Sequence, residues 1–243
     1  MIHTETIITV RNLYKKFGDF IANNNISFEV YKGEIFGFLG ANGAGKTTAI
    51  RILCGLSMPT SGDIRVAGFD VNTQTELIKK NIGYMSQKFS LYEDMSIREN
   101  IRFFGGIYGL TAAEIKERTN KMLKRLDMEA YANKLLKDIP PGWKQKLAFS
   151  VAVLHKPKIV FLDEPTGGVD PITRRQFWDL IYEATEEGIT VFVTTHYMDE
   201  AEYCNRVSIM VDGEIAALDT PDQLKKMYQA ENMNDVFLKL ARK

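Results

Sequence analysis

Short apolar runs, each closed by a turn signal, occupy both ends of the chain, and stretches with a helical period fill its middle. Thr6–Asn12 alternates between apolar and polar residues, and Asn25–Val30 runs up to the turn Lys32-Gly33; both predict strands. Glu34–Leu39 predicts a buried strand that runs directly into the glycine-rich loop Gly40–Gly45. A helical pattern follows over Thr47–Leu56, closed by Pro59-Thr60-Ser61-Gly62, and Asp63–Val66 predicts a further strand. The opening is thus strand, loop and helix, with extra antiparallel strands in front.

From about Lys88 to Lys156 the pattern changes to helices. Thr111 and Glu114 form a capping box ahead of Ala112–Leu126, and Ile115, Met122, Leu123 and Leu126 fall on one face. A second helix spans Gly142–His155 and is stopped by Pro157. His155 then lies in a last helical turn, where a cation is favoured. Residues 88–156 therefore read as a helical subdomain inserted into an α/β core made of 1–87 and 157–230. The core resumes with the strand Lys158–Leu162, a helix capped by Asp170-Pro171 and ended by Gly188, and the strand Ile189–Thr195. A hairpin over Arg206–Leu218 turns at Asp212-Gly213, and Thr220-Pro221 caps one more helix. The end of the chain, 231–243, reads as a polar, mobile tail.

Composition narrows the function classes. The chain has 243 residues, 45% hydrophobic and 26% charged, in keeping with one large folded domain or two modest ones. Lys plus Arg and Asp plus Glu both total 31, a balance that argues against a nucleic-acid partner. Cys54 and Cys204 have no CxxC or Cys/His neighbours and read as reduced thiols. No run approaches the ~18 apolar residues of a membrane span. The first residues, Met1–Glu5, lack the apolar core of a signal peptide. A membrane role would have to come through a partner.

Three places carry chemistry. Gly40-Ala41-Asn42-Gly43-Ala44-Gly45-Lys46-Thr47 fits G-x4-G-K-[ST]. Its glycines let backbone N–H groups converge on an anion, and the following helix points its N-terminus at the same charge. Lys46 supplies a cation for the β and γ phosphates of a nucleotide, and Thr47 a hydroxyl for Mg²⁺. The apolar strand Ile159–Leu162 ends in Asp163-Glu164, where Asp163 suits Mg²⁺ and Glu164 suits an attacking water. His196 ends the strand Ile189–Thr195, at the strand edge where ligands gather in open α/β sheets, and is placed to bond a γ-phosphate. No function attaches to His3 or His155.

Taken together, these residues resemble the ATP-binding cassette (ABC) family over nearly the whole chain. Gly40–Thr48 looks like Walker A, so Thr48 joins the binding set; Ile159–Glu164 looks like Walker B. Gln87 looks like the Q-loop glutamine, which touches Mg²⁺ and senses the membrane partner. Gly167-Gly168-Val169-Asp170 resembles the D-loop and His196 the switch histidine. Phe17 falls where the family stacks a ring on adenine, with Tyr14 as the other candidate and a plain core role open for either. Thr194–Glu202 looks most like cassettes of bacterial multidrug and antibiotic exporters. The resemblance implies a P-loop NTPase core with an antiparallel β subdomain and a helical subdomain. It also implies ATP and Mg²⁺ as ligands and head-to-tail pairing with a second cassette. A separate permease at the inner face of the membrane would complete the assembly. A ribosome- or nucleic-acid-acting ABC ATPase is the alternative; it usually has paired cassettes or long coiled coils.

One motif departs from the family. Where the family reads Leu-Ser-Gly-Gly-Gln, this chain reads Ile139-Pro140-Pro141-Gly142-Trp143. The serine hydroxyl that would reach the opposite subunit's γ-phosphate is lost, and neither proline has an N–H. Gly142 and Trp143 keep theirs at a helix N-terminus, so the anion site is thinned rather than abolished. A lost charge-assisted hydrogen bond costs about 1.5–3 kcal/mol, roughly ten- to a hundredfold. Trp143 could restore binding by packing on nucleotide, or could pack between subdomains. The chain then either pairs with a cassette that has an intact signature or forms a slow homodimer.

Overall fold

A computed structural model describes residues 5–87 and 91–241 of the chain. His3 and the first residues of the expected helical subdomain, 88–90, lie outside the described residues.

The antiparallel sheet is built first. β1 (Thr6–Phe17) and β2 (Phe20–Tyr31) pair along their length, and β1 also pairs with β4 (Ser61–Val66), which carries the short β5 (Phe69–Asp70). Both long strands exceed the span that their alternation predicts. The reason is a set of register shifts, with Asn12 at φ 53° and Asn25 at φ 56°. Each bulge resets which face a residue takes, so simple alternation fades while the pairing continues.

The second sheet has six strands in the order β10-β9-β3-β8-β7-β6. β3 (Ile35–Gly40), β6 (Ile82–Met85), β7 (Ile159–Asp163), β8 (Thr190–Thr195) and β9 (Arg206–Val211) run parallel; β10 (Glu214–Asp219) closes one edge antiparallel. Every residue of β3, β7 and β8 is buried. That is the signature of parallel strands covered on both faces, and it explains their unbroken apolar runs.

One face packs on α1 (Lys46–Leu53), α2 (Thr75–Asn81) and the antiparallel sheet, around the rings of Phe28, Phe36, Phe38, Phe161 and Phe192. α1 stops at Leu53, short of the predicted Leu56, because Gly55 at φ 68° turns the chain out of the helix. The other face packs on α3 (Ile97–Ile107), α4 (Ala112–Arg125), α5 (Pro141–Ala152) and α6 (Pro171–Glu186). The capping box of Thr111 and Glu114 is present, and Ser96 with Glu99 forms a second one on α3 that the sequence reading passed over. Asp170 caps α6, its carboxylate accepting from the N–H groups of Ile172 and Thr173 at 3.0 Å.

Two expectations change. Beyond α7 (Pro221–Met227) the chain forms α8 (Met233–Ala241), with Met233, Val236 and Leu240 buried, in place of a mobile polar tail. His155 lies past the end of α5 and is no cation. Its Nε2 donates to the Ile82 carbonyl at 3.0 Å, and its ring stacks on Tyr108 at 3.8 Å. Burial pushes its pKa down to about 4, so the ring is neutral.

Candidate active site

β3, β7 and β8 end side by side. The register pairs Leu39 with Thr195 and Asp163 with Thr194, which sets the loops after Gly40, Asp163 and Thr195 along one edge of the sheet. A cavity of about 320 Å³ opens there, lined by Phe20, Asn42, Gly43, Gly45, Lys46, Thr47, Thr48, Gln87 and Glu164 among others.

The loop into α1 needs its glycines at two points. Gly43 sits at φ 84°, and Gly45 at φ 100° is the N-cap. A Cβ on Gly45 would come within 2.2 Å of the Ala22 carbonyl. No side chain caps α1, so its first N–H groups stay available to an anion. Asn23, fully buried, donates to the Gly45 carbonyl at 3.2 Å and so fixes the loop from below.

Lys46 is nearly inaccessible. Its ammonium donates to the carbonyls of Gly40 at 2.9 Å and Ala41 at 3.1 Å and pairs with Glu164 at 3.2 Å. Glu164 also accepts from Gln87 Nε2 at 3.0 Å and meets His196 Nδ1 at 3.0 Å. Its own backbone is held at φ 50°, with its N–H donating to Thr194 O and Oγ1. Three groups that suit a phosphate thus converge on one carboxylate. Behind them, Asp163 accepts from Thr47 Oγ1 at 3.2 Å and from Thr194 Oγ1 at 2.7 Å. Burial raises the Asp163 pKa, and the two hydroxyls pull it partly back down. A buried carboxylate beside a hydroxyl is a hard-oxygen pair that fits Mg²⁺, which takes most of its other ligands from water and substrate. Among the described residues no larger cluster of metal ligands occurs.

Some expected residues stand elsewhere. Phe17 is half exposed at the tip of the β1–β2 hairpin with the Lys15 ammonium 4.6 Å from its ring centre, while its cross-strand partner Phe20 lines the cavity. The Phe17–Phe20 register was the missing signal, because it depends on a two-residue turn at Gly18-Asp19. Tyr14 faces a different surface hollow with Arg11 and Ser61. Gly40 and Ala44 shape the loop without lining the cavity.

Gly142 is also absent from that lining; it packs against α6, where an added Cβ would meet Thr173 Cγ2 at 2.7 Å. The thinned signature is thinner than its sequence suggests. Trp143 and Lys144 both donate their N–H groups to the Pro140 carbonyl, at 3.0 and 3.1 Å, so Trp143 has no free amide to offer. The Trp143 ring packs edge-on against Tyr131 at 5.2 Å, in keeping with the packing role.

The ABC transporter family matches residues 23–167. The probable multidrug ABC transporter ATP-binding protein YbhF of Escherichia coli (strain K12) is 46% identical over 231 residues, covering 95% of this chain and 39% of that protein. The linearmycin resistance ATP-binding protein LnrL of Bacillus subtilis (strain 168) is 36% identical over 219 residues, covering 90% of this chain and 70% of its own length. A solved ATP-binding subunit of an ABC transporter superposes with a TM-score of 0.87 at 26% identity, over 97% of this chain and 99% of that one. A dimeric ATP-binding cassette in a post-hydrolysis state, bound to ADP and Pi, gives 0.79 at 26% identity, over 88% and 98% of the two chains.

Proposed function

The chain belongs to the ABC transporter family, and from that premise we propose that it binds and hydrolyses ATP and couples the cycle to a separate membrane-spanning permease. The observation that carries this reading is the convergence of Lys46, Gln87 and His196 on Glu164, each at 3.2 Å or less, beside an uncapped helix N-terminus.

The arrangement assigns a task to each residue. The amides between Gly43 and Thr47 cradle the polyphosphate, and Lys46 turns from Glu164 to the phosphates. Phe20, with Phe17 across the hairpin, offers a ring face to the base. Thr47, Asp163 and Gln87 would hold Mg²⁺, which when bound neutralises charge on the β and γ phosphates. Released from Lys46, the Glu164 carboxylate orients a water for in-line attack, and His196 holds the γ-phosphate.

No helix among the described residues is long and apolar enough to cross a membrane. A cluster of exposed or half-exposed rings, Tyr92, Phe103 and Phe104, stands on and before α3, with Ile107 the most exposed of the group. It begins five residues after Gln87 and is the face we assign to a permease at the inner membrane surface. The names of the relatives favour export of a drug-like compound. Pro140 favours pairing with a second cassette that supplies a better signature, over a fast homodimer. The zero net charge speaks against the ribosome or nucleic acid as partner.

Phosphate release from ATP by the purified chain, alone and with its permease, tests this. The wild type turns ATP over; Glu164→Gln lowers turnover by about 10²-fold or more and keeps nucleotide binding. An unchanged rate in Glu164→Gln would remove Glu164 from the chemistry.

A further inference from the structure

We propose that Glu200 and Arg174 form a buried clamp that sets His196 against Glu164, making Glu200 a positioning residue for hydrolysis; this rests on the ATPase reading above.

Glu200 is completely buried, in the 3₁₀ segment Met198–Tyr203 that follows β8. Thr166, two residues past Glu164 and itself buried, donates its hydroxyl to Glu200 Oε1 at 2.6 Å. Arg174 of α6 brings its Nε to 3.7 Å from the same oxygen, and its Nη1 to 3.5 Å from Asp199. The Arg174 guanidinium also lies over the Tyr197 ring at 4.1 Å, and that ring stands 4.2 Å from the ring of His196. One carboxylate and one guanidinium therefore tie together the exit of β7, the first turn of α6 and the exit of β8. Those are the segments that present Glu164 and His196 to each other.

The chemistry of the clamp points to positioning rather than to plain packing. An apolar side chain of similar size would fill the space without the cost of desolvating a charge. The clamp is also under-satisfied. Glu200 Oε2 and Arg174 Nε are buried and make no hydrogen bond. A network with spare donors and acceptors has a second arrangement open to it. Neither Glu200 nor Arg174 lines the cavity, so an effect of either on turnover is indirect.

Glu200→Gln tests this, because it keeps an acceptor for Thr166 and removes the charge facing Arg174. The expected result is a fall in kcat of about tenfold or more, with the KM for ATP and the affinity for a fluorescent ATP analogue changed by less than about twofold. The double variant His196→Ala/Glu200→Gln should lose no more than His196→Ala alone, since both act through one residue. The His196 side-chain resonance should move in Glu200→Gln. Thr166→Ala, which removes one hydrogen bond, should reproduce the kcat loss if Glu200→Gln folds poorly. An unmoved His196 resonance, or losses that multiply in the double variant, would overturn the clamp. A wild type that binds no nucleotide would instead overturn the ATPase reading, and the resonance would still report on the clamp.

Discussion

Glu164 is held by three partners that a phosphate would take from it. Its carboxylate neutralises Lys46, which would otherwise be a buried, unpaired cation. Replacing it with glutamine should therefore raise ATP affinity by about tenfold, read by calorimetric titration, as well as lowering turnover. Gly45 carries a different constraint. Gly45→Ala places a Cβ 2.2 Å from the Ala22 carbonyl at a φ of 100°. Thermal unfolding should show a loss of about 1–3 kcal/mol, together with lost nucleotide binding. His155 gives a pH signature. Its folded pKa of about 4 lies below the ordinary 6.5, so the unfolded chain binds the extra proton first. Stability from this residue is complete above pH ~6.5 and falls as pH drops towards ~4. In His155→Gln that component should be missing; equal Tm slopes in the two proteins across pH 4–6.5 would refute it. Lys46, Asp163 and Glu164 were legible in the sequence because each sits at a fixed offset from a glycine loop or an apolar strand. Phe20 was not, because its place depends on hairpin register, and neither was Glu200, whose partners lie 26 and 34 residues away.

At the scale of elements, the most regular pieces read best. β3, β7 and β8 are buried on both faces and announce themselves as apolar runs, and α4 announces itself by its capping box. Thr111→Ala should cost about 1 kcal/mol by denaturant unfolding, with activity kept. α8 was missed although its buried positions, Met233, Val236 and Leu240, stand at i, i+3 and i+7, because the helix is short and Asn, Asp and Lys lie between them. The contact between α5 and α6 was equally hidden. Gly142 is the close-approach point, so Gly142→Ala should push the start of α5 off Thr173, and Gly142→Ala/Thr173→Ser should recover only part of the loss. Unfolding by urea reads both; no change in Gly142→Ala would mean the helices have slack there.

The whole molecule is a nucleotide cradle on one edge of a sheet, with a helical lobe that carries an exposed aromatic patch and a weakened signature. The chain spans 39% of the length of the Escherichia coli relative. At this scale we propose that the signature limits turnover. Pro140→Ser restores a hydroxyl at the N-cap of α5. If the chain acts as a homodimer, turnover should rise roughly tenfold. If it serves beside an intact partner cassette, the rise should appear only when the two are mixed.

Titration of the purified chain with Mg-ATP, beside Lys46→Ala, tests the account at its base. It predicts saturable binding by the wild type, with the signal lost in a folded Lys46→Ala protein. Absence of binding in the wild type, or equal binding in both, would contradict it.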